Sequence, residues 1–164
     1  MSNPHHESTP LTIGRGAIAG LAGAAVMTAF QRLVEMPLTG REESYAPADL
    51  VMKLLPVAPK RKQSRRRLNY VAHFAVGTAW GVGHGLIATR AGLRGQAAVA
   101  AAFGAIYSGD VLANTALGLD KPWQWSRQDL AVDVIDKLLL AEVAGLVFER
   151  LGPRSEGSAG DELR

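Results

Sequence analysis

The sequence contains no cysteine among its 164 residues. This absence excludes disulfide bonds, zinc sites built from thiolates and catalysis by a cysteine nucleophile. Lysine and arginine are missing from the first ten residues. Because a cleaved signal peptide begins with a positively charged region, we do not expect one here.

Charge is missing from residues 68–89, a run of 22 positions. At about 1.5 Å per residue, a helix of this length can cross a bilayer. Gly77, Gly81 and Gly85 fall four apart within the run, and such a stripe lets a second helix approach closely in lipid. Mean hydropathy is only +0.06, because the helices are rich in alanine and glycine and the connections are polar. A soluble helical bundle therefore stays open as an alternative.

Three other apolar segments and one short segment complete the predicted helices. Small residues recur at every fourth position in two of them. The first series begins with Gly16 and Gly20, and the second runs from Ala97 to Gly109. Ser126 stands before the last segment with Asp129 three residues on, which predicts a capping box. We expect long helices at about 14–35, 68–90, 95–119 and 126–151, and a short one at 47–55.

The predicted fold class is all-α, a four-helix transmembrane bundle with a short interfacial helix in the first connection. Short second and third connections make consecutive helices antiparallel neighbours. The short helix either lies flat on the membrane surface or packs as a cap on the other helices. The helical membrane domain would occupy residues 13–151, between a polar leader at 1–12 and a disordered tail at 152–164.

Basic residues are concentrated in the first connection. Ten of the 18 lysines and arginines fall in the first and third connections, against six at the opposite end of the bundle. The positive-inside rule then places these two connections in the cytoplasm and predicts a multi-pass protein of the cytoplasmic (inner) membrane. The densest basic run would contact anionic lipid headgroups rather than nucleic acid, because no aromatic residues are interleaved with it. Its members are Lys60, Arg61, Lys62, Arg65, Arg66 and Arg67.

Polar residues of different helices should meet at one depth. His73 and Asp110 lie about equally far from the second connection, and Asp110 and Asp136 equally far from the third. Ionisable groups inside a membrane protein are costly unless paired or hydrated, so they predict either a proton, ion or small-molecule site or a set of interhelical links. Such links would join Asp110 to His73 or Lys137. The predicted polar layer consists of Glu35, His73, Asp110, Asn114, Asp133, Asp136 and Lys137.

No catalytic residue, metal or cofactor is predicted, and we do not expect an enzyme. His73 and His84 share a helix face but would stand about 16 Å apart along its axis, too far to bind one haem iron. A mixed histidine and carboxylate metal site at His73, Asp110 and Asp136 is a minor alternative to packing. The GVGHG segment at 81–85 lacks the preceding strand of a phosphate-binding loop.

Several motifs resemble those of a known group of membrane proteins. They are GAIAGLAGAAVMTAFQRLVEMPLTGRE, APADL, RRRLNYVAHFAVGTAWGVGHG, YSGDVLANTALGL and WSRQDLAVDVIDK. Over about residues 13–150 the chain looks like small actinobacterial membrane proteins of unknown function, distantly similar to the YagU-like inner-membrane family. The resemblance implies a multi-span inner-membrane protein and carries no reaction with it. The first connection departs from that family in being far more basic.

Three functions remain open on these patterns. The first is an accessory or scaffolding subunit that associates, with itself or with a partner membrane protein, through glycine-rich helix faces at Gly16, Gly20, Gly77, Gly81, Gly85 and Gly109. The second is a small transporter or ion-coupled permease component that uses the polar layer around Asp110. The third is a soluble helical bundle that binds an apolar ligand.

Overall fold

All regular structure in residues 8–152, the range that the computed structural model describes, is helical, which confirms the all-α fold class. Residues 1–7 of the predicted leader and 153–164 of the predicted tail lie outside this range. A single-turn helix, Pro122–Gln124, precedes the last long helix. The other helices are α1 (Thr9–Thr39), α2 (Ala46–Leu54), α3 (Lys62–Ala91), α4 (Gly95–Ala116) and α5 (Arg127–Arg150).

Helix α1 extends beyond its predicted bounds of 14–35 at both ends. It starts at Thr9, inside the predicted leader, with Pro10 in its first turn, where a missing backbone N–H costs nothing. It continues past Pro37 because residues Gln31–Glu35 form a π-helical turn. This wider turn relieves the clash that a proline makes with the preceding turn. Gly40, with a left-handed φ of 69°, ends the helix.

The other boundaries lie within a few residues of the predicted ones. Helix α3 starts at Lys62 instead of 68, because the Lys and Arg side chains of the basic run favour a helix and also tolerate full exposure. Helix α4 ends at Ala116 instead of 119, since Gly118 adopts a left-handed φ of 70°. Ser126 and Asp129 form both hydrogen bonds of the capping box at the start of α5, which confirms that prediction.

Glycine stripes of α1 and α3 pack directly against each other. A Cβ atom on Gly16 would stand 2.7 Å from the backbone oxygen of Gly81, and one on Gly77 would stand 2.6 Å from Ala24 Cβ. Gly20 likewise faces the backbone of α3. The stripes that predicted contacts with a partner are therefore occupied within the chain. Helices can approach this closely only where glycine and alanine line the contact, because larger side chains do not fit between them.

Two further glycines of the predicted set differ from this pattern. Gly85 faces the ring of Phe148 on α5, where an added Cβ would stand 2.6 Å from Phe148 Cε2. Gly109 on α4 has no heavy atom within 4 Å of a Cβ built on it, so it makes no packing contact in the chain. The small-residue period of α4 continues along an outward face, which is why its glycine lacks the role predicted for it.

Helix α1 mostly buries small residues and exposes large aliphatic ones, which is the reverse of the distribution usual in soluble proteins. Except for Met27, its buried residues are small or polar, whereas its leucine, isoleucine and valine side chains point outward, with Leu11 54% and Ile18 55% exposed. An amphipathic helix of a soluble protein buries its large apolar side chains instead. The outward set comprises Leu11, Ile13, Ile18, Leu21 and Val26.

Two helices of the described range are long and apolar enough to cross a membrane. They are α1, with a window hydropathy of 1.5, and α4, with 1.2. The hydropathy of α3, which contains the uncharged run, stays below this level because small residues fill it. Helix α5 also fails the test, because charged residues interrupt it. Buried helices of soluble proteins also satisfy this test, so four spans remain a prediction.

The short helix α2 packs on α3. Ala48 is fully buried, and its backbone N–H donates to Asn69 Oδ1 at 3.1 Å. Asp49 pairs with Arg65 at 2.7 Å. This contact with α3 is the one expected of a cap, while Leu54 stays 60% exposed and a position on a membrane surface remains a prediction.

The first and third connections meet at one end of the bundle. Arg41 in the first lies 3.6 Å from Asp129 at the start of α5, and Gln128 donates to the Thr39 backbone oxygen at 3.3 Å. At the opposite end, buried Arg15 donates to the Phe148 backbone oxygen at 2.7 Å. We call the end with the two connections the loop end. It carries the cavity described next.

Candidate functional site

A cavity of about 450 Å³ opens among the helices at the loop end. Its wall draws residues from α1, α3, α4 and α5 and from the first and third connections. All seven members of the predicted polar layer lie on this wall: Glu35, His73, Asp110, Asn114, Asp133, Asp136 and Lys137. The depth argument from helix rise thus located residues that the fold brings together.

Lys137 joins two helices at the centre of the wall. Its Nζ lies 2.8 Å from Asp110 of α4 and 2.9 Å from Asp133 of α5. Tyr107 of α4 donates its hydroxyl to Asp133 at 2.9 Å. The pair of Asp110 with Lys137 is one of the predicted interhelical links. Because one lysine is shared by two half-buried carboxylates, Lys137, Asp110 and Asp133 together carry one net negative charge.

Asp136 is more deeply buried and forms no ion pair with another residue of 8–152. It is 6% exposed, and Gln31 of α1 donates to its Oδ2 at 2.7 Å. Its Oδ1 is buried without a hydrogen-bond partner. The π-helical turn of α1 begins at Gln31 and ends at Glu35, and both residues line the cavity. Such turns inside α-helices occur frequently at functional sites.

Glu35 is held from the first connection. It is 7% exposed, accepts a hydrogen bond from the Thr39 hydroxyl at 2.9 Å, and lies 3.6 Å from Arg41. Arg41 also contacts Asp129, so it links α1 to the capping box of α5. This arginine was outside the predicted layer, because its position in a polar loop gives no sign that the loop folds over the cavity.

His73 binds α1 rather than Asp110. Its Nε2 lies 3.0 Å from the hydroxyl of Thr28, which itself donates to the Ala24 backbone oxygen at 2.7 Å. Since that hydroxyl has one proton, Nε2 is the donor. The predicted alternative pairing with Asp110 is therefore absent. Asn114 donates to the backbone oxygen of Asp110 at 2.9 Å, a link within its own helix.

His84 is separated from this site. It is 3% exposed and lies edge-on to Phe148, with ring centroids 5.9 Å apart, toward the opposite end of the bundle. The ring packs in the interior, and its Nδ1 has no hydrogen-bond partner within residues 8–152. In residues 8–152 no group of three or more histidine, aspartate and glutamate side chains is arranged to hold a metal ion.

The floor of the cavity is apolar. Met27, Trp80 and Leu140 pack in one buried cluster, and each lines the cavity. Leu140 follows Asp136 by one helical turn, so the carboxylate stands directly above this floor on the same face of α5. Trp80 lines the cavity without having been predicted to, because a tryptophan within an apolar run gives no sign of the direction in which its side chain points.

Acidic groups outnumber basic ones on the wall. Eight lining residues are aspartate or glutamate, whereas Arg32, Arg41 and Lys137 are the lining cations. Near the floor, the four carboxylates Glu35, Asp110, Asp133 and Asp136 face two of these cations. In the third connection, burial raises the pKa of the Asp120 carboxyl above its ordinary value. The cavity therefore has a negative potential that favours positively charged contents.

The basic run at the start of α3 remains exposed but is partly paired. Arg65 binds Asp49 at 2.7 Å, and Arg66 lies 3.5 Å from Glu43. Arg65 and Arg66 also stand over the rings of Tyr45 and Tyr70. Within the chain, these two arginines attach α3 to the first connection. The remaining members, Lys60, Arg61, Lys62 and Arg67, are exposed.

Comparison with protein-family models, characterised proteins and solved structures finds no match to this chain. The similarity to YagU-like proteins accordingly remains a prediction from the motifs. The functional argument depends on the cavity itself.

Proposed function

We propose that this chain is a multi-pass protein of the cytoplasmic membrane that binds a small polar solute or an ion in its loop-end cavity, as a small transporter or a component of an ion-coupled permease. One observation carries the proposal: three long helices contribute charged side chains, and α3 contributes His73, to a single cavity of about 450 Å³. Ionisable side chains that converge between helices of a membrane protein are costly to keep and mark solute or proton paths.

The reversed distribution of residue size supports a lipid environment. Large aliphatic side chains cover the outside of α1, while glycine and alanine fill its contact with α3. In water, such an outer surface would be a broad exposed apolar patch, whereas in lipid it is the expected one. The excess of basic residues at the loop end favours a cytoplasmic position for the cavity.

Introduced thiols test the membrane position. The chain has no native cysteine, so a single cysteine at residue 63 reports the loop end and one at residue 92 reports the opposite end. We expect the protein in the membrane fraction, with residue 92 labelled by an impermeant reagent in intact cells and residue 63 labelled only after the cells are opened. Recovery in the aqueous fraction without detergent would favour the soluble bundle instead.

Reconstitution tests the function. Protein in sealed vesicles is exposed to a potassium diffusion potential, and proton entry is followed with a trapped pH dye. We expect a flux that depends on the protein and falls strongly in Asp110→Asn. Glu142→Gln is a matched control, since Glu142 pairs with Gln96 away from the cavity. Equal flux from wild-type and Asp110→Asn protein would contradict a role for the polar layer.

A second candidate, association through a helix face, has its own support on α4. Gly104 and Gly109 have no heavy atom within 4 Å of a built Cβ, and Ala97 and Ala105 are exposed between the large residues of that helix. Such a flat face suits a second copy of the chain or another membrane helix. Crosslinking of Gly109→Leu in membranes tests it, because a leucine there would abolish the crosslinked dimer without disturbing contacts inside the chain.

A further inference from the structure

We infer that the cavity takes a small organic cation, a protonated amine with an apolar body, and that Asp136 is its counter-ion. This inference rests on the proposed solute-binding function and specifies its ligand class. It is carried by the position of Asp136 between the carboxylates of the wall and the apolar floor.

The first argument is the unmatched charge of Asp136. Asp136 is only 6% exposed, and within residues 8–152 its side chain accepts a hydrogen bond from the neutral amide of Gln31 alone. No described residue donates to its buried Oδ1. A buried carboxylate with an open acceptor is costly unless a cation or a donor reaches it. An ammonium group supplies both at once.

The second argument is that no cation of the wall is free to fill this place. Lys137 is engaged by Asp110 and Asp133 at 2.8 and 2.9 Å. Arg41 is divided between Glu35 and Asp129 at 3.6 Å each. Arg32, the third lining cation, lies 3.3 Å from Glu43. Each lining cation is thus paired with another carboxylate, so a cation bound in the cavity would supply the charge that Asp136 lacks.

The third argument is the shape and chemistry of the floor. Trp80, Met27 and Leu140 form an apolar cluster that lines the same cavity as Asp136. The tryptophan ring also attracts cations through its face. A volume of about 450 Å³ exceeds that of a bare ion and lies within the range of roughly 300–1,000 Å³ that small-molecule sites occupy. An amine that carries an aromatic or aliphatic group matches the acidic wall and the apolar floor together.

Calorimetry with three probes of one shape tests the inference. Benzylammonium, benzyl alcohol and benzoate are titrated into the full chain in detergent. We expect benzylammonium to bind and benzoate not to bind, with benzyl alcohol at least about thirtyfold weaker than benzylammonium, the lower range for loss of one partner of a buried charge pair. Binding of benzoate in preference to benzylammonium would overturn the inference.

Variants assign the site. Asp136→Asn keeps the shape of the side chain and should weaken benzylammonium by at least about thirtyfold. Glu142→Gln lies on the same helix outside the cavity and should leave the affinity unchanged. If Asp136→Asn fails to fold, the order of the three wild-type affinities still decides. Equal benzylammonium affinity in folded Asp136→Asn and wild-type protein overturns the inference.

The two proposals fail separately. Absence of benzylammonium binding, together with a proton flux that depends on Asp110, overturns the organic-cation ligand and leaves the transport proposal standing. Absence of both binding and flux overturns both.

Discussion

Replacement of Gly81 by alanine is the sharpest test of the close contact between α1 and α3. A Cβ at this position would overlap the backbone oxygen of Gly16 and the backbone N and Cα of Gly20. Backbone atoms cannot rotate away as a side chain can. The two helices would therefore have to separate along their whole contact.

The required displacement sets the magnitude. Ordinary Cβ contacts begin at 3.4 Å, and even the less crowded Gly16 offers 2.7 Å, so an alanine there already needs about 0.7 Å of separation. Gly81 is more crowded and needs more. Overpacked cores lose about 1–3 kcal/mol of stability, and we expect Gly81→Ala at or above the upper end of that range.

Gly109→Ala is the matched control. It also replaces a helical glycine by alanine, but no heavy atom lies within 4 Å of the new Cβ. Its stability should stay unchanged or rise by about 0.5–1 kcal/mol, because alanine restricts the unfolded chain more than glycine does. The two variants should therefore differ by about 3–4 kcal/mol or more.

Thermal unfolding followed by circular dichroism in detergent measures this difference. Thermal unfolding is measured at two protein concentrations, because contacts within one chain give an unfolding midpoint that does not depend on protein concentration. The reasoning is refuted if Gly81→Ala unfolds like the wild type. A midpoint for Gly81→Ala that rises with protein concentration would instead return the glycine stripe to an interface between chains.

Three further predictions concern polar groups at the loop end. Lys137→Met should lower the free energy of unfolding by about 2 kcal/mol or more, because it leaves two carboxylates without a counter-charge. In thermal unfolding, the double variant with Asp110→Asn should recover part of this loss, and additive losses would contradict the shared ion pair. Ser126→Ala should cost about 1 kcal/mol through loss of the N-cap and Ser126→Asn should restore most of it, an expectation that equal midpoints for all three proteins would refute. Asp120→Asn should raise the unfolding midpoint at neutral pH, because burial raises the pKa of the folded carboxyl and so penalises its ionised form. This gain should start to shrink as the pH falls through the raised folded pKa, and it should disappear only below the ordinary pKa of the unfolded carboxyl, where both states are protonated; a gain independent of pH would contradict it.

Positions that are set by fixed helix geometry could be predicted from the sequence. The rise of a helix is constant, so equal distances from two short connections placed His73, Asp110 and Asp136 at one depth. The capping box of Ser126 followed from local hydrogen bonding alone. Neither prediction required knowledge of which helices touch.

Features that depend on the partner of a surface were not predictable. The spacing of Gly77 and Gly81 identifies a face made for close approach, but it is the same whether the approaching helix belongs to this chain or to another. The π-helical turn that brings Gln31 and Glu35 to the cavity has no local sequence signature. Arg41 reaches the cavity only because the first connection folds back over it.

Helix α4 is attached unevenly along its length. Its buried residues, Ala98, Val99 and Ala102, all lie in the half remote from the cavity, whereas Leu112 beyond the cavity wall is 68% exposed. A swing of α4 about its buried half would widen the cavity sideways. Such a swing has to separate Asp110 from Lys137, so the ion pair at the centre of the wall also sets the resistance of the bundle to lateral opening.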